Sequence, residues 1–176
     1  MANTSEKILM DASQLEAVLQ RLASQVAERQ GSDGAYKIVG IHTRGVPIAR
    51  RLAALLKSPE PIGILDINLY RDDLSTVADM PVVKETVLPF PVDGARVLLV
   101  DDVLYTGRTV RAALDALFDL GRPKKVELLA LVDRGGREIP LQADLCGKIL
   151  QVPDDEVVKV RLKETDGQDQ VVIAKL

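Results

Sequence analysis

The chain has 176 residues, a length typical of one compact domain. Hydrophobic residues make up 47% of it and charged residues 28%, which excludes an intrinsically disordered chain and a small scaffold held together by disulfides. The net charge is −3, and the chain has three tyrosines, two phenylalanines and no tryptophan. A nucleic-acid site must therefore be a local cationic patch, and RNA-binding sheets that stack bases on aromatic rings are not favoured.

The cysteine content and the amino-terminal segment indicate where the protein works. The single Cys146 and the single His42 are too few for an internal disulfide or a structural zinc site. The first residues contain no apolar run long enough for a signal peptide, and no stretch approaches 18 apolar residues. We therefore expect a soluble protein of the cytoplasm that does not contact a membrane.

Periodic apolar side chains and turn residues divide the first half of the chain into helices and strands. Ser13 and Glu16 offer a capping box for the first helix, which Gly31 ends, and Pro47 suits the first turn of the second helix. The predicted elements are a helix at 11–30, a strand at 36–41, a helix at 46–57, a strand at 63–70 and, after a polar excursion, a return strand at 82–88.

The second half opens with continuous aliphatic runs, which are typical of strands buried on both faces. The predicted elements are a strand at 96–101, a helix at 109–120, a strand at 125–132 and a hairpin formed by 157–162 and 171–176. The alternation of strands and helices implies right-handed crossovers and a mostly parallel sheet covered on both faces. We therefore expect one α/β domain with a small antiparallel unit near its carboxyl end.

Residues 97–109, VLLVDDVLYTGRT, carry the chemical signal. A buried strand ends in Asp101 and Asp102, and a short loop containing Gly107 leads into a helix. Ligands of parallel sheets bind beyond the carboxyl ends of the strands, and a helix N-terminus offers unpaired N–H groups to an anion. We expect the backbone from Leu104 to Thr109 to hold a phosphate. The two carboxylates would then lie a sugar's length away, near ribose hydroxyls or a hydrated Mg²⁺.

A purely structural role for the two aspartates is the alternative, because aspartate commonly ends strands and caps helices. The thirteen-residue pattern makes that role less attractive. It matches neither the dinucleotide-binding fingerprint nor the P-loop. It resembles the diphosphosugar-binding signature of the type I phosphoribosyltransferases, in which two acids and a T-G-x-T loop follow a hydrophobic strand.

Three further stretches resemble the pyrimidine-operon attenuator family, whose members are also uracil phosphoribosyltransferases. They are residues 66–75, residues 102–117 followed by 119–123, and residues 131–140, and the resemblance runs from about residue 9 to the carboxyl end. It implies a single type I phosphoribosyltransferase domain with a core at about 9–132 and a hood at about 133–176, assembled as a homo-oligomer. It also implies that uracil and phosphoribosyl diphosphate give UMP and diphosphate with the help of Mg²⁺, and that UMP or UTP promotes binding of pyrimidine-operon leader mRNA.

The resemblance assigns catalytic roles to Asp101, Asp102 and Arg44, with Mg²⁺ held by the two aspartates indirectly, through substrate and water. Tyr105 favours a pyrimidine, because the purine-using relatives commonly carry an aspartate at this position that can take the proton of the base. The implied substrate-binding residues are Thr43, Arg44, Arg71, Lys84, Asp101, Asp102, Val103, Leu104, Tyr105, Thr106, Gly107, Arg108, Thr109, Asp133, Arg134 and Val157.

An RNA site is the less well supported part of the resemblance. Gly136 and Gln142 stand where members of the family usually carry histidine and a basic residue, so fewer counterions would be released on binding. The candidate RNA-binding residues are Arg21, Arg29, Arg137 and Lys148. Two alternatives therefore stay open, namely a phosphoribosyltransferase that does not bind RNA and one that acts on another base.

Overall fold

The computed structural model describes residues 6–31, 34–68 and 85–176. The helices and strands in these ranges are β1 (Lys7–Met10), α1 (Ala12–Gln30), β2 (Lys37–Ile41), α2 (Gly45–Leu55), β3 (Gly63–Leu65), β4 (Arg96–Leu104), α3 (Arg108–Asp119), β5 (Lys125–Asp133), β6 (Leu145–Ile149), β7 (Glu156–Arg161), α4 (Lys163–Asp166) and β8 (Gln170–Lys175). None of the helices in these ranges is long and apolar enough to cross a membrane.

The central sheet has five parallel strands in the order β3-β2-β4-β5-β6. Its middle strands β4 and β5 have nine residues each and are buried along most of their length, as their continuous aliphatic runs predict. Leu104 is paired with Asp133 in the register of these strands. The carboxyl ends of β4 and β5 therefore meet at one edge of the sheet, where the predicted phosphate loop begins.

Two hydrophobic cores cover the two faces of the sheet, which confirms a doubly covered α/β fold. One core contains the apolar faces of α1 and α2, with Leu22 and Leu52 fully buried. The other contains the apolar face of α3, with Val110 and Leu117 buried. In α1 and α3 the buried residues recur at intervals of three or four positions, because that spacing forms one stripe along a helix, whereas the first turn of α2 is buried all round.

A three-stranded antiparallel sheet in the order β1-β8-β7 forms the hood. The hairpin predicted near the carboxyl end is therefore confirmed, and its turn contains the short helix α4. Gly167 ends that helix with φ of 75°, a left-handed conformation that suits glycine. The sequence analysis missed β1, which reaches the hood from the amino end of the chain, and β6, which extends the central sheet beside β5.

Three local predictions need correction. The capping box of α1 is formed by Asp11 and Gln14, because Asp11 precedes the helix, and not by Ser13 and Glu16. In its described part, residues 63–68, the strand predicted at 63–70 is shorter and consists of β3 alone. The return strand predicted at 82–88 is not a strand in its described part, where Val87 makes only an isolated antiparallel bridge to Ile64.

Candidate active site

Two adjacent carboxylates lie near the carboxyl end of β4. Asp101 is 5% exposed, and its carboxylate accepts a hydrogen bond from the Asp102 N–H at 2.9 Å. The Asp102 carboxylate accepts one from the Val103 N–H, also at 2.9 Å. Burial raises the pKa of Asp101 well above its ordinary value, and the neighbouring charge of Asp102 raises it further. The sheet edge therefore carries a buried carboxyl group, Asp101, next to a half-buried one, Asp102, and a ligand hydroxyl or a cation would stabilise them.

The loop after β4 has the geometry of an anion site. Gly107 precedes α3 with φ of 93° and has no side chain to cap the helix. The Arg108 N–H donates to the Thr106 hydroxyl oxygen at 3.3 Å, and Thr109 and Val110 of the first turn line the cavity, where a helix N-terminus attracts an anion. The loop lines a cavity of about 350 Å³ together with Asp101. Among the predicted site residues, the lining includes Asp101, Val103, Leu104, Tyr105, Thr106, Gly107, Arg108 and Thr109.

A second segment folds over this loop and was not predicted as part of the site. The Thr106 carbonyl accepts hydrogen bonds from the N–H groups of Glu138 and Ile139, at 2.9 and 3.0 Å. Glu138 also lines the cavity, and its carboxylate lies 2.7 Å from the Arg108 Nε. Sequence reasoning missed Glu138 because these contacts join segments about thirty residues apart.

A second loop carries Thr43 and Arg44, which the resemblance implies to be substrate-binding residues. β2 ends at Ile41, and Arg44 precedes α2, so Thr43 and Arg44 occupy the turn between them. Both residues line a cavity of about 270 Å³ that also includes Asp101, Asp102 and Thr109. The fold therefore brings both loops to Asp101, which lines both cavities.

Gly45 allows the second loop to approach β4 so closely. A Cβ atom at this position would overlap the carbonyl oxygen of Val100. The residue that follows Arg44 must therefore lack a side chain for α2 to begin against the central strand.

The hood closes the site from the other side. Val158, Lys159 and Val160 of β7 line a third cavity of about 330 Å³, which also includes Arg44 and Asp102. Val157 lies on the same strand and pairs with Ala174 of β8. The hood strand β7 thus borders a cavity shared with Asp102, whereas the predicted residue Val157 is not part of that lining.

Tyr105, Asp133 and Arg134 lie together at the carboxyl ends of β4 and β5. Arg134 is 4% exposed, and its guanidinium lies 3.9 Å from the centre of the Tyr105 ring. It donates to the Glu156 carbonyl at 2.9 Å and to the Pro153 carbonyl at 3.1 Å. These bonds fasten the segment before β7, so Arg134 shapes this part of the site through the backbone that it holds.

The remaining predicted residues have different outcomes. Arg71 and Lys84 lie outside the described residues. Arg21, Arg29 and Arg137 donate hydrogen bonds within the chain, while Lys148 is exposed. The acceptors are Gly147 for Arg21, Glu127 and Asp144 for Arg29, and Tyr105, Leu141 and Asp133 for Arg137. Three of the four RNA candidates therefore have guanidinium groups with structural partners.

The donor set limits how Mg²⁺ could be held. Within the described residues, no group of three or more histidine, cysteine, aspartate or glutamate side chains could hold a metal ion. Mg²⁺ prefers six oxygen ligands. The aspartate pair could contribute to such a site only together with oxygen atoms of a bound ligand and water.

Comparison with protein families gives an independent result. A model of the phosphoribosyl transferase domain matches residues 5–164. Proteins named Bifunctional protein PyrR are 54% identical in Deinococcus deserti and 52% identical in Pelotomaculum thermopropionicum. The alignments cover 93% of this chain and 91% of the first relative, and 98% and 97% for the second. The relative from Thermus thermophilus is 50% identical, with coverage of 93% and 92%.

Solved structures share the fold at low sequence identity. The hypoxanthine phosphoribosyltransferase of Trypanosoma cruzi superposes with a TM-score of 0.73 at 17% identity, covering 96% of each chain. A hypoxanthine-guanine phosphoribosyltransferase of Bacillus anthracis gives a TM-score of 0.72 at 19% identity, covering 99% of each chain. Together with the signature on β4 and the two loops around it, these matches show that the chain belongs to the phosphoribosyltransferase family and, within it, to the PyrR proteins.

Proposed function

We propose that this protein transfers the phosphoribosyl group of phosphoribosyl diphosphate to uracil, giving UMP and diphosphate, and that UMP or UTP in the same site controls binding of pyrimidine-operon leader mRNA. One observation carries the proposal. Two loops suited to anions adjoin the buried Asp101 and the half-buried Asp102, which is the arrangement that a sugar with phosphate groups at both ends requires.

Each part of the substrate has a counterpart in the site. The N–H groups at the start of α3 would hold the 5-phosphate, and Thr106 and Thr109 would add hydroxyl donors. Asp101 and Asp102 would accept hydrogen bonds from the two ribose hydroxyls. The Thr43–Arg44 turn would bind the diphosphate, since a guanidinium offers paired donors to phosphate oxygens.

The residues act on the reaction by position and charge. The bond from ribose C1 to the diphosphate oxygen breaks ahead of attack by the uracil nitrogen, so positive charge develops on the ribose and negative charge on the leaving group. Arg44 and the amides of its loop stabilise the leaving diphosphate, while the aspartate pair fixes the ribose for in-line attack. Mg²⁺ bound with the substrate would neutralise further charge on the diphosphate. No covalent nucleophile is required.

Tyr105 supports a pyrimidine as the accepted base. Its carbonyl accepts from Arg137 at 2.8 Å, and its ring lies against Arg134. A phenol held in this way is a poor proton acceptor near neutral pH, so this position offers no base for the imidazole proton of a purine.

A turnover panel tests the enzymatic part. Purified protein with Mg²⁺ and phosphoribosyl diphosphate should convert uracil to UMP at a kcat/KM at least a hundredfold above that for cytosine, hypoxanthine or guanine. Faster turnover of hypoxanthine would show that another base is the substrate and that Tyr105 does not select pyrimidines.

The packing of α1 against β6 supports the regulatory part. Arg21 donates to the Gly147 carbonyl, next to Lys148, and Arg29 donates to the Asp144 carbonyl at 3.0 Å. The fold thus lines up three of the candidate cations along one boundary, which we call the α1–β6 strip (Arg21, Arg29 and Lys148). In a cytoplasmic homo-oligomer, symmetry would repeat this strip. Filter binding of leader RNA with and without UMP tests the regulatory part of the proposal. Equal RNA affinity in the presence and absence of UMP would contradict the proposed control.

A further inference from the structure

The hood holds the Arg44 side chain in place. Its Nη2 donates to Asp166 Oδ1 at 3.0 Å, whereas its Nε is buried and has no hydrogen-bond partner among the described residues. The side chains of Arg44 and Asp166 are 39% and 21% exposed. One donor of the guanidinium is therefore fixed by the hood, and others are left for a ligand.

Asp166 is a fixed partner because its second carboxylate oxygen is also bound. Oδ2 accepts from the Leu162 N–H at 2.9 Å and from the Thr165 hydroxyl at 2.6 Å. The Thr165 hydroxyl, then the Leu162 N–H and Arg44, lower the pKa of Asp166 to about 2 against the opposing effect of burial. The carboxylate is therefore ionised at neutral pH and has one orientation.

A second arginine fastens the turn that carries Asp166. Arg51 follows Arg44 by seven residues, about two helical turns along α2. Its guanidinium donates to Glu164 at 2.8 and 2.5 Å and to Asp169 at 3.1 and 2.7 Å. Since these bonds attach the hood turn to α2, the pair between Arg44 and Asp166 is not needed for that attachment.

Asp166 also lies at the reaction cavity. It lines the third cavity together with Arg44 and Asp102, and the second cavity shares the latter two residues. A carboxylate beside a site for diphosphate would repel that anion unless it serves the cation that binds it. The contact with Arg44 gives Asp166 that role.

We propose that Asp166 is a positioning residue, which holds the Arg44 guanidinium so that its remaining donors face the diphosphate of the substrate. This proposal rests on the diphosphate role proposed above for Arg44. A free arginine side chain must lose rotational freedom when it binds, and a side chain already held by Asp166 loses less. The hood thereby contributes to the diphosphate site without touching the diphosphate.

Asp166→Asn tests this, because it keeps the size of the side chain and removes its charge. We expect the KM for phosphoribosyl diphosphate and the Kd for inorganic diphosphate to rise about tenfold. The Kd for UMP, which has no diphosphate, should change less than twofold. Glu164→Gln is the matched control, since it removes a hood ion pair of the same kind from Arg51 and leaves Arg44 untouched.

A double-mutant cycle with Arg44→Ala completes the test. In a protein that already carries Arg44→Ala, Asp166→Asn should have no further effect on diphosphate affinity. Three results would overturn the proposal: unchanged diphosphate affinity in Asp166→Asn, an equal loss in Glu164→Gln, or an equal loss of UMP affinity. Failure of the wild-type protein to turn over uracil would instead refute the proposed function, and inorganic diphosphate binding would still decide the role of Asp166.

Discussion

Charged side chains are arranged differently at the two ends of the central strands β4 and β5: opposite charges are paired at the amino ends, and two acids are adjacent at the carboxyl end. At the amino ends of β4 and β5, Arg96 and Glu127 lie 3.4 Å apart, and both bind the Tyr36 hydroxyl. The Arg96 guanidinium also lies 4.3 Å from the centre of the Tyr36 ring. At the carboxyl end of β4, Asp101 and Asp102 place two like charges side by side.

The pKa values of the carboxyl groups record this difference. Burial would raise the pKa of Glu127, but hydrogen bonds from Tyr36, Arg29 and Lys125 lower it to about 2. At the opposite end, burial and a like charge both raise the pKa of Asp101. Buried charges that neutralise each other support the fold, whereas a buried carboxyl group whose charge is disfavoured by its neighbour is typical of a ligand site.

Substitution of Glu127, the partner of Arg96 at the amino ends of the strands, should have the largest effect, and that effect should be on stability. Glu127→Gln leaves Arg96 buried without a counter-charge, so we expect the free energy of unfolding to fall by about 3 kcal/mol. The kcat/KM of the remaining folded protein should be unchanged, because the cluster lies at the opposite end of the strands from the site. Urea unfolding measures the stability and initial rates measure the activity. A loss of activity equal to that of an active-site variant would show that the amino-end cluster does not serve the fold alone.

The same cluster predicts a pH dependence. The folded pKa of Glu127, about 2, is below its ordinary value of 4.5, so its contribution to stability is complete above about pH 4.5 and is lost as the pH falls toward 2. The difference in unfolding free energy between wild type and Glu127→Gln should therefore shrink between these two pH values. A constant difference would show that the charge of Glu127 is not what stabilises the cluster.

Substitution of an aspartate at the carboxyl end of β4 should lower activity and leave stability largely unchanged, the reverse of the effect of Glu127→Gln. We expect Asp101→Asn and Asp102→Asn each to lower kcat/KM by about 100-fold, equivalent to about 2.7 kcal/mol, because the ribose loses its contacts. For Asp101→Asn the melting temperature should stay level or rise, since a buried like-charge contact disappears. Near wild-type turnover in both variants would show that the aspartates do not bind the ribose.

The phosphate loop should give a smaller and more selective effect. Gly107→Val places a branched side chain at φ of 93°, where its Cβ also lies 3.4 Å from Ile139. Affinity for UMP should fall about tenfold because the first N–H groups of α3 move away from the phosphate, while affinity for uridine should change little. Calorimetric titration of both ligands measures this, and equal losses would indicate collapse of the loop.

The sequence predicted the elements that local pattern determines. The continuous aliphatic runs of β4 and β5 and the loop before α3 lie where the sequence placed them. β1 and β6 were missed, because β1 has four residues and is defined by pairing with β8 from the far end of the chain, and β6 carries Gly147 and Lys148, which are not typical of a buried strand.

Local sequence pattern could not predict the long-range side-chain contacts, at the site or away from it, for the same reason. Arg44 and Asp166 are 122 positions apart, and Arg96 and Glu127 are 31 apart. No spacing within a single element links such residues. The sequence could therefore name the chemistry of the 97–109 signature, while the hood contacts became visible only once the fold had placed the two loops together.

The smallest expected effect extends the comparison to the cations. Arg137 resembles the amino-end cluster, because its guanidinium binds the Tyr105 and Leu141 carbonyls at 2.8 Å and pairs with Asp133. Lys148, in contrast, is exposed. If RNA phosphates bind exposed cations, Lys148→Ala should lower the slope of log affinity against log salt by about 0.7–0.9, the value for one phosphate contact. Arg137→Ala should leave that slope unchanged and instead weaken UMP binding through the loop that begins at Tyr105.

Titration of leader RNA at several salt concentrations, with UMP affinity measured alongside, separates the two variants. A lower slope for Arg137→Ala with unchanged UMP binding would place Arg137 in the RNA site. The comparison of the strand ends would then not extend to cations, because a charge with partners inside the fold would be serving a ligand.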